Sequence, residues 1–323
     1  MNAGLKARGF GGGLPFEDYV EKHRDALSLL RDRGLDKQVC LVVGDMAWPP
    51  ARRLEWLRLL AHEFGTAVSY SFHHYAPDED DFDCYFCHPG SEAFRPPPLA
   101  DEVGAYRKTV GAAPELICWE FNQPGWSSGN FSHFPGVGLR GEDHIGSFRA
   151  AVGHARKVMS MLANGVDGMC HWCVGDMFYR SGVRNGVMRF GLWRYKWEGW
   201  VPRPVYFYFA ALIEAFRPGN SLHPFTGLPA KTEGLAAKDL DGSMTLALLN
   251  YGTEDVSVSV PVSGPMRRLR ISPDHLPRRP DILDREKPAD EMPLTDWQVV
   301  AADTAAQPLW IAPQELTLLR CQA

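Results

Sequence analysis

The sequence predicts an α/β part followed by an all-β part, and three observations carry that prediction. Up to residue 217, amphipathic helical stretches alternate with short apolar runs, the order expected of βα units. Those runs are continuously apolar, as in a parallel sheet covered on both faces. From residue 218 onward, apolar and polar residues alternate between Gly, Pro, Asp and Asn, the pattern of antiparallel strands. The chain is therefore divided into residues 1–217, α/β, and residues 218–323, a β-sandwich. Its 323 residues are comfortable for two domains.

The elements follow in order. Phe16, Tyr19, Val20, His23, Leu27 and Leu30 recur at three- and four-residue steps, which predicts a helix over 16–33, and Gly34 supplies its stop. Residues 39–43, VCLVV, form a short strand running into Gly44-Asp45. Leu57, Leu60, Ala61 and Phe64 share one face of a helix over 51–64. Residues 67–72 form a strand that leads into His73-His74-Tyr75, and 99–110 form a helix. The next strand, ELICWE, ends at Glu120. A long helix over 146–164 runs through Phe148, Val152, Ala155, Met159 and Leu162 and closes at Gly165. Residues 166–173 form the fourth strand, followed by Gly175-Asp176. A loop then ends at Pro202, and Pro204 suits the first turn of a helix over 204–216. In the all-β part, LAAKDLDGSMTLALLNYG, DVSVSVPVSG, MRRLRIS, WQVVAA and ELTLLRC read as strands, with 273–293 as a long loop.

Composition narrows the function. A hydrophobic fraction of 45% with 23% charged residues is ordinary for a globular protein. A net charge of −5 gives no electrostatic case for nucleic acid or an anionic membrane. No run of 18 apolar residues predicts a membrane span, and the N-terminal segment lacks the apolar stretch of a secretion signal. Cys40, Cys118, Cys170 and Cys173 sit in apolar runs and read as small core residues. Cys84-x-x-Cys87-His88 and Cys170-x-x-Cys173 raise the question of zinc. Residues 170 and 173 of one strand point to opposite faces, so no metal and no other cofactor is expected.

Each of the four strands leads into a polar or aromatic cluster: Gly44-Asp45, His73-His74-Tyr75, Glu120-Phe121-Asn122, and Trp172 to Asp176. The C-terminal strand ends are the active face of parallel α/β folds. Glu120 stands out among these residues. A carboxylate at the end of a buried strand is costly unless it is hydrogen-bonded or used. Its neighbours Trp119, Asn122, Gln123 and Trp126 supply flat faces and amides, the groups that a sugar site needs. The structural alternative is a strand-end Glu paired with an Arg.

Taken in order, these motifs resemble the C-terminal part of retaining glycoside hydrolases of the large (β/α)8-barrel clan, near the β-xylosidase, iduronidase and cellulase-like members. The resemblance implies that the four strands correspond to the fifth to eighth of a TIM barrel, with a β-sandwich following. It implies that Glu120 is the nucleophile and that carbohydrate is the substrate. Retaining hydrolysis uses a second carboxylate about 5–5.5 Å away as acid/base. In the clan that Glu follows an Asn at the end of the fourth strand, and no Asn-Glu pair occurs in this sequence. The expectation is a truncated form lacking the acid/base. The other accounts are pairing with a missing N-terminal half-barrel, or an acid role for Asp45 or Asp176.

Candidate sugar-binding residues are His73, His74, Tyr75, Trp119, Asn122, Trp126, Trp172 and Asp176. Strand alternation sends one of the two histidines to the site, and His74 with Tyr75 is the expected choice. Trp172 is the expected stacking floor, and Asp176 either binds a hydroxyl or caps the next loop. Phe178, Tyr179, Trp193, Tyr195, Trp197 and Trp200 either line outer subsites or pack between the two parts. Two other classes compete: a non-catalytic carbohydrate-binding or interaction protein, and a CxxC metalloprotein.

Overall fold

The computed structural model describes residues 15–44, 50–75, 97–122, 145–181, 184–196, 199–260, 266–276, 298–300 and 308–321. The first part contains α1 (Phe16–Asp32), β1 (Val42–Val43), α2 (Pro50–Phe64), β2 (Ser69–His74), α3 (Leu99–Val110) and β3 (Leu116–Phe121), then α4 (Phe148–Ala163) and β4 (Gly168–His171). The four strands form a parallel sheet in sequential order, β1-β2-β3-β4. The chain divides into two compact units. One holds α1 to β3 together with β4, and the other holds α4 and everything after β4.

In the first unit, the apolar stripe of α1 buries Phe16, Val20 and Leu27, and Gly34 stops the helix in the left-handed region at φ 66°. The helix α3 buries Val103, Tyr106 and Val110, with Tyr106 lying 5.0 Å from the Phe72 ring of β2. All six residues of β2 are buried although four are polar, two serines and two histidines. Tyr70, Phe72 and His74 share one face of that strand, while Ser69, Ser71 and His73 share the other. Gly44, at φ 135°, lets the backbone after β1 press against Ser71; a Cβ there would overlap the Ser71 carbonyl.

The cysteine expectation is corrected here. Of the four read as core, only Cys118 is buried; Cys40 and Cys170 are exposed and Cys173 is half-buried. The reason is strand length and position. Cys40 falls before the two-residue β1, and Cys170 lies on β4, an outer strand of the described sheet. Cys84, Cys87 and His88 lie outside the described residues. Among the described residues no group of three or more His, Cys, Asp or Glu could hold a metal, and no helix is long and apolar enough to cross a membrane.

The second unit continues with a hairpin, β5 (Met177–Ser181) and β6 (Arg184–Met188), within the stretch expected to be a loop. Then come α5 (Pro204–Ala215), β7 (Ser221–Pro224), β8 (Thr232–Lys238), β9 (Met244–Asn250), β10 (Val256–Val258), β11 (Met266–Ile271), β12 (Gln298–Val300), β13 (Leu309–Ile311) and β14 (Leu316–Cys321). Six strands make one antiparallel sheet in the order β12-β11-β14-β9-β8-β7, and β10 pairs with β13 separately. Ala236, Leu246, Leu248, Met266, Leu319 and Cys321 of the large sheet form one cluster with Val258 and Ile311 of the small one. Leu235, Ala237, Leu249 and Leu318 point the other way and are equally buried. The apolar helices α4 and α5 pack on this sheet, so its central strands lack the solvent face that simple alternation implies.

Candidate active site

Glu120 lies on the last turn of pleat in β3, at the C-terminal edge of the parallel sheet, with a quarter of its side chain exposed. The pairing with β2 explains its direction. Phe72 registers with Cys118, yet the next residue, His73, registers with Glu120, leaving Trp119 as an extra, unpaired residue. This is a β-bulge, and it reverses the face of everything after it. By strict alternation Glu120 would share the face of Cys118, which is fully buried. With the bulge, Glu120 shares the face of His73 instead. Phe121 and His74 then register on the opposite face, and Trp119 is left 47% exposed.

Two groups converge on one oxygen of Glu120. The Tyr75 hydroxyl donates to Oε2 at 2.8 Å, and Nδ1 of His73 lies 3.2 Å from the same atom. The two rings stand edge to face, 6.5 Å apart. Among the described residues both contacts fall on Oε2.

The expected assignment of the histidines is reversed. His73, not His74, faces Glu120, and His74 points to the opposite face, where its Nδ1 lies 3.5 Å from Oε2 of Glu102 on α3. There a buried network forms that the sequence reading missed. The Arg53 guanidinium, on α2, donates through Nε to the Tyr106 hydroxyl at 2.9 Å, and through its other two nitrogens to the His73 carbonyl and the Glu102 carboxylate. The Tyr106 hydroxyl also donates to Glu102. Arg53 is 1% and Glu102 4% exposed, which makes their pairing obligatory. A signal did exist: Glu102 sits at helical spacing with Tyr106 and Val110 on the face that α3 buries.

Burial by itself would raise the Glu102 carboxyl. The neighbouring His74 imidazole and the charge of Arg53, with further help from Tyr106, outweigh burial and hold the group at about 2 instead of 4.5. Burial also pushes the Tyr106 hydroxyl up, and it stays neutral. Because the folded-state value of Glu102 lies below the ordinary one, its stabilisation is complete above pH 4.5 and is lost as pH falls toward 2. At about 1.4 kcal/mol per pH unit the loss amounts to about 3 kcal/mol. Urea unfolding midpoints measured between pH 6 and pH 2 should fall accordingly, and Glu102→Gln should flatten that dependence. An equally steep fall in Glu102→Gln would locate the acid sensitivity elsewhere.

The remaining candidates are placed as follows. Asn122 is fully buried, and its side-chain amide donates to the carbonyls of Trp172 and, at 2.7 Å, Phe190. Its main-chain carbonyl accepts from the buried Lys157 at 3.1 Å. Asp176 is also buried. Its carboxylate accepts from both terminal nitrogens of Arg203, at 2.9 and 2.6 Å, and from the Gly191 amide at 2.8 Å. Neither fits the sugar-binding part expected of it: Asn122 is fully buried with its side-chain nitrogen directed at two main-chain carbonyls, and both Asp176 oxygens are taken by Arg203 and Gly191. Asp176 does not fit the acid role for the same reason. Trp172 is half-buried and joined to Cys173 by a cis peptide. Cys173 donates from Sγ to the Gly175 carbonyl at 3.0 Å. Asp45, Trp126 and Trp197 lie outside the described residues. Phe178 and Trp200 are 45% and 54% exposed, whereas Trp193 stacks edge-on against Tyr206 at 5.1 Å.

A cleft at the opposite, N-terminal end of the sheet is lined by Leu27, Leu30, Cys40, Ser69 and Glu115. It lies away from Glu120, at the end of the strands where parallel folds do not keep their chemistry. There Cys40 Sγ lies 2.9 Å from Ser69 Oγ, which in turn donates to Glu115 at 3.3 Å.

The fold is one found among glycoside hydrolases. The chain is similar to SrfJ from Salmonella typhimurium, at 12% identity and a TM-score of 0.54, over 92% of this chain and 50% of that one. It is similar to the GH51 arabinofuranosidase from Xanthomonas axonopodis pv. citri, at 15% identity and a TM-score of 0.55, over 98% and 65%. It is also similar to the catalytic domain of GH30 xylanase C from Talaromyces cellulolyticus, at 9% and 0.53, over 95% and 57%. The chain thus spans between half and two thirds of the length of these structures. No family model and no curated protein matches it. At these identities the likeness is one of fold.

Proposed function

We propose that the chain carries the nucleophile side of a glycosidase site and acts on the O-glycosidic bonds of a poly- or oligosaccharide by retaining double displacement. The observation that carries this reading is the Glu120 carboxylate, held through one oxygen by Tyr75 and His73 at the C-terminal edge of a parallel sheet. In the proposed reaction the Glu120 carboxylate attacks the anomeric carbon, the aglycone oxygen leaves with that bond's electron pair, and water later displaces Glu120 from the glycosyl ester. Tyr75 and His73 steady the carboxylate before attack. Trp119, beside Glu120 on the same strand, remains the proposed stacking surface for the sugar. On this reading the four-stranded sheet is the counterpart of the fifth to eighth strands of a (β/α)8 barrel. Residues 1–217 are then the catalytic part, and 218–323 a β-sandwich.

The fold neighbours support the carbohydrate assignment. The identity of the acid/base stays open in this proposal, because the Asp176 carboxylate is occupied by Arg203 and Gly191. That same observation favours a second reading, in which the chain binds carbohydrate without cleaving it.

Activated aryl glycosides separate the two readings, since a good leaving group needs little acid assistance. Nitrophenyl arabinofuranosides, xylosides and glucosides are the first panel. Tyr75→Phe is expected to lower the release rate by about 10²-fold, as for loss of one preorganised donor. Heat stabilisation by a sugar without turnover supports binding alone. Neither turnover nor stabilisation across the panel sinks both.

A further inference from the structure

We propose that Arg53 is a positioning residue, which sets His73 and thereby the orientation of the Glu120 carboxylate; this rests on the reading of Glu120 as the reacting group. Arg53 is buried in the first turn of α2, on the far side of β2 from Glu120. Its planar fork reaches two elements at once: the main-chain carbonyl of His73 on β2, and Glu102 with Tyr106 on α3. The His73 carbonyl belongs to the residue where the β2–β3 register shifts. At such a shift the ladder is interrupted, and a fixed donor from outside the sheet takes over the work of holding the backbone. The same residue presents Nδ1 to Glu120 at 3.2 Å, and Tyr75, two residues further on, presents its hydroxyl. A shift of the main chain at His73 therefore moves both groups that hold Oε2.

Charge balance makes the arrangement durable. The Arg53 cation is met by Glu102, which also accepts from Tyr106 and faces His74. Lysine would keep the charge and lose the fork, because its three donors radiate from one point and cannot span Tyr106, Glu102 and the His73 carbonyl together. Arg53→Lys is therefore the informative substitution, since it leaves the buried carboxylate with a cation.

The test reads the site without requiring turnover. Ring-nitrogen resonances of ¹⁵N-histidine are recorded for the parent, Glu120→Gln, Arg53→Lys and the double variant. His23 is the internal control. It bonds to the Tyr19 carbonyl at 2.7 Å on α1. Glu120→Gln is expected to displace the His73 resonances in the parent, and this displacement should be lost in the Arg53→Lys background while His23 is unchanged in all four proteins. Equal displacement in both backgrounds overturns the proposal, as does no displacement in the parent. If Arg53→Lys fails to fold, Tyr106→Phe removes one arm of the fork's support, and a reduced displacement is expected there. An equal one again overturns the proposal. Absence of aryl glycoside turnover would count against the hydrolase reading and not against this coupling.

Discussion

Glu120→Gln is expected to abolish release of the aryl group from activated glycosides while leaving the protein folded. The fall should be at least about 10⁴-fold, the scale on which enzymes lose rate when one member of a concerted catalytic group is removed. The amide is nearly isosteric with the carboxylate, and it keeps an oxygen for the Tyr75 hydroxyl, which now donates to Oε2 at 2.8 Å. What it lacks is the negative charge and the nucleophilic oxygen, so binding and chemistry separate. Heat stabilisation by a sugar should persist in Glu120→Gln if the surrounding surface binds it. Turnover that survives the substitution would remove Glu120 from the mechanism and with it the present reading of the site. The measurement is a progress curve at saturating aryl glycoside, with the folded fraction checked by circular dichroism.

Arg53→Met is expected to be the most destabilising substitution in the first unit, costing about 3–5 kcal/mol. The loss comes mainly from what is left behind. Glu102, 4% exposed, would retain its ionising groups around it but lose its full cation, and the Tyr106 hydroxyl would lose a donor at 2.9 Å. A buried carboxylate in that position must either stay charged without its partner or take up a proton. Replacing both members, Arg53→Met with Glu102→Leu, should recover much of the loss, because apolar side chains of similar volume often substitute for a buried pair at little net cost. Urea unfolding of the single and double variants checks both statements. A cost below about 1 kcal/mol for Arg53→Met would mean that water or rearrangement replaces the guanidinium, and that the network is not holding α2, α3 and β2 together.

Much of the architecture was legible from the sequence because it rests on local periodicity. The helices at 16–33, 51–64, 99–110, 146–164 and 204–216 appear within a few residues of their expected ends. Their apolar stripes and their Pro and Gly boundaries are properties of neighbouring residues. The strand that carries Glu120 was legible for the same reason. The β5–β6 hairpin was not, because its sequence lacks alternation and its Asn185-Gly186 pair, a common turn signal, lies within β6 opposite Arg180 and Tyr179. Cys40 and Cys170 were misplaced because apolar neighbours indicate a strand without saying where the strand stops or which strand lies outermost.

The candidate site shows the same division at the level of single side chains. The sequence by itself determined that a carboxylate would end an apolar strand among aromatics, that His73 and His74 would face opposite ways, and that Tyr75 would follow them. Only the tertiary structure decided which histidine meets Glu120. That choice depends on the register between β2 and β3, where the extra residue Trp119 turns Glu120 away from the face of Cys118 and toward His73. Only the tertiary structure, likewise, could show that Asp176 and Asn122 are occupied, since their partners Arg203 and Phe190 lie 27 and 68 residues away in the chain. Periodicity reports which faces an element has. Register and long-range pairing, which arise between elements distant in sequence, settle what those faces meet.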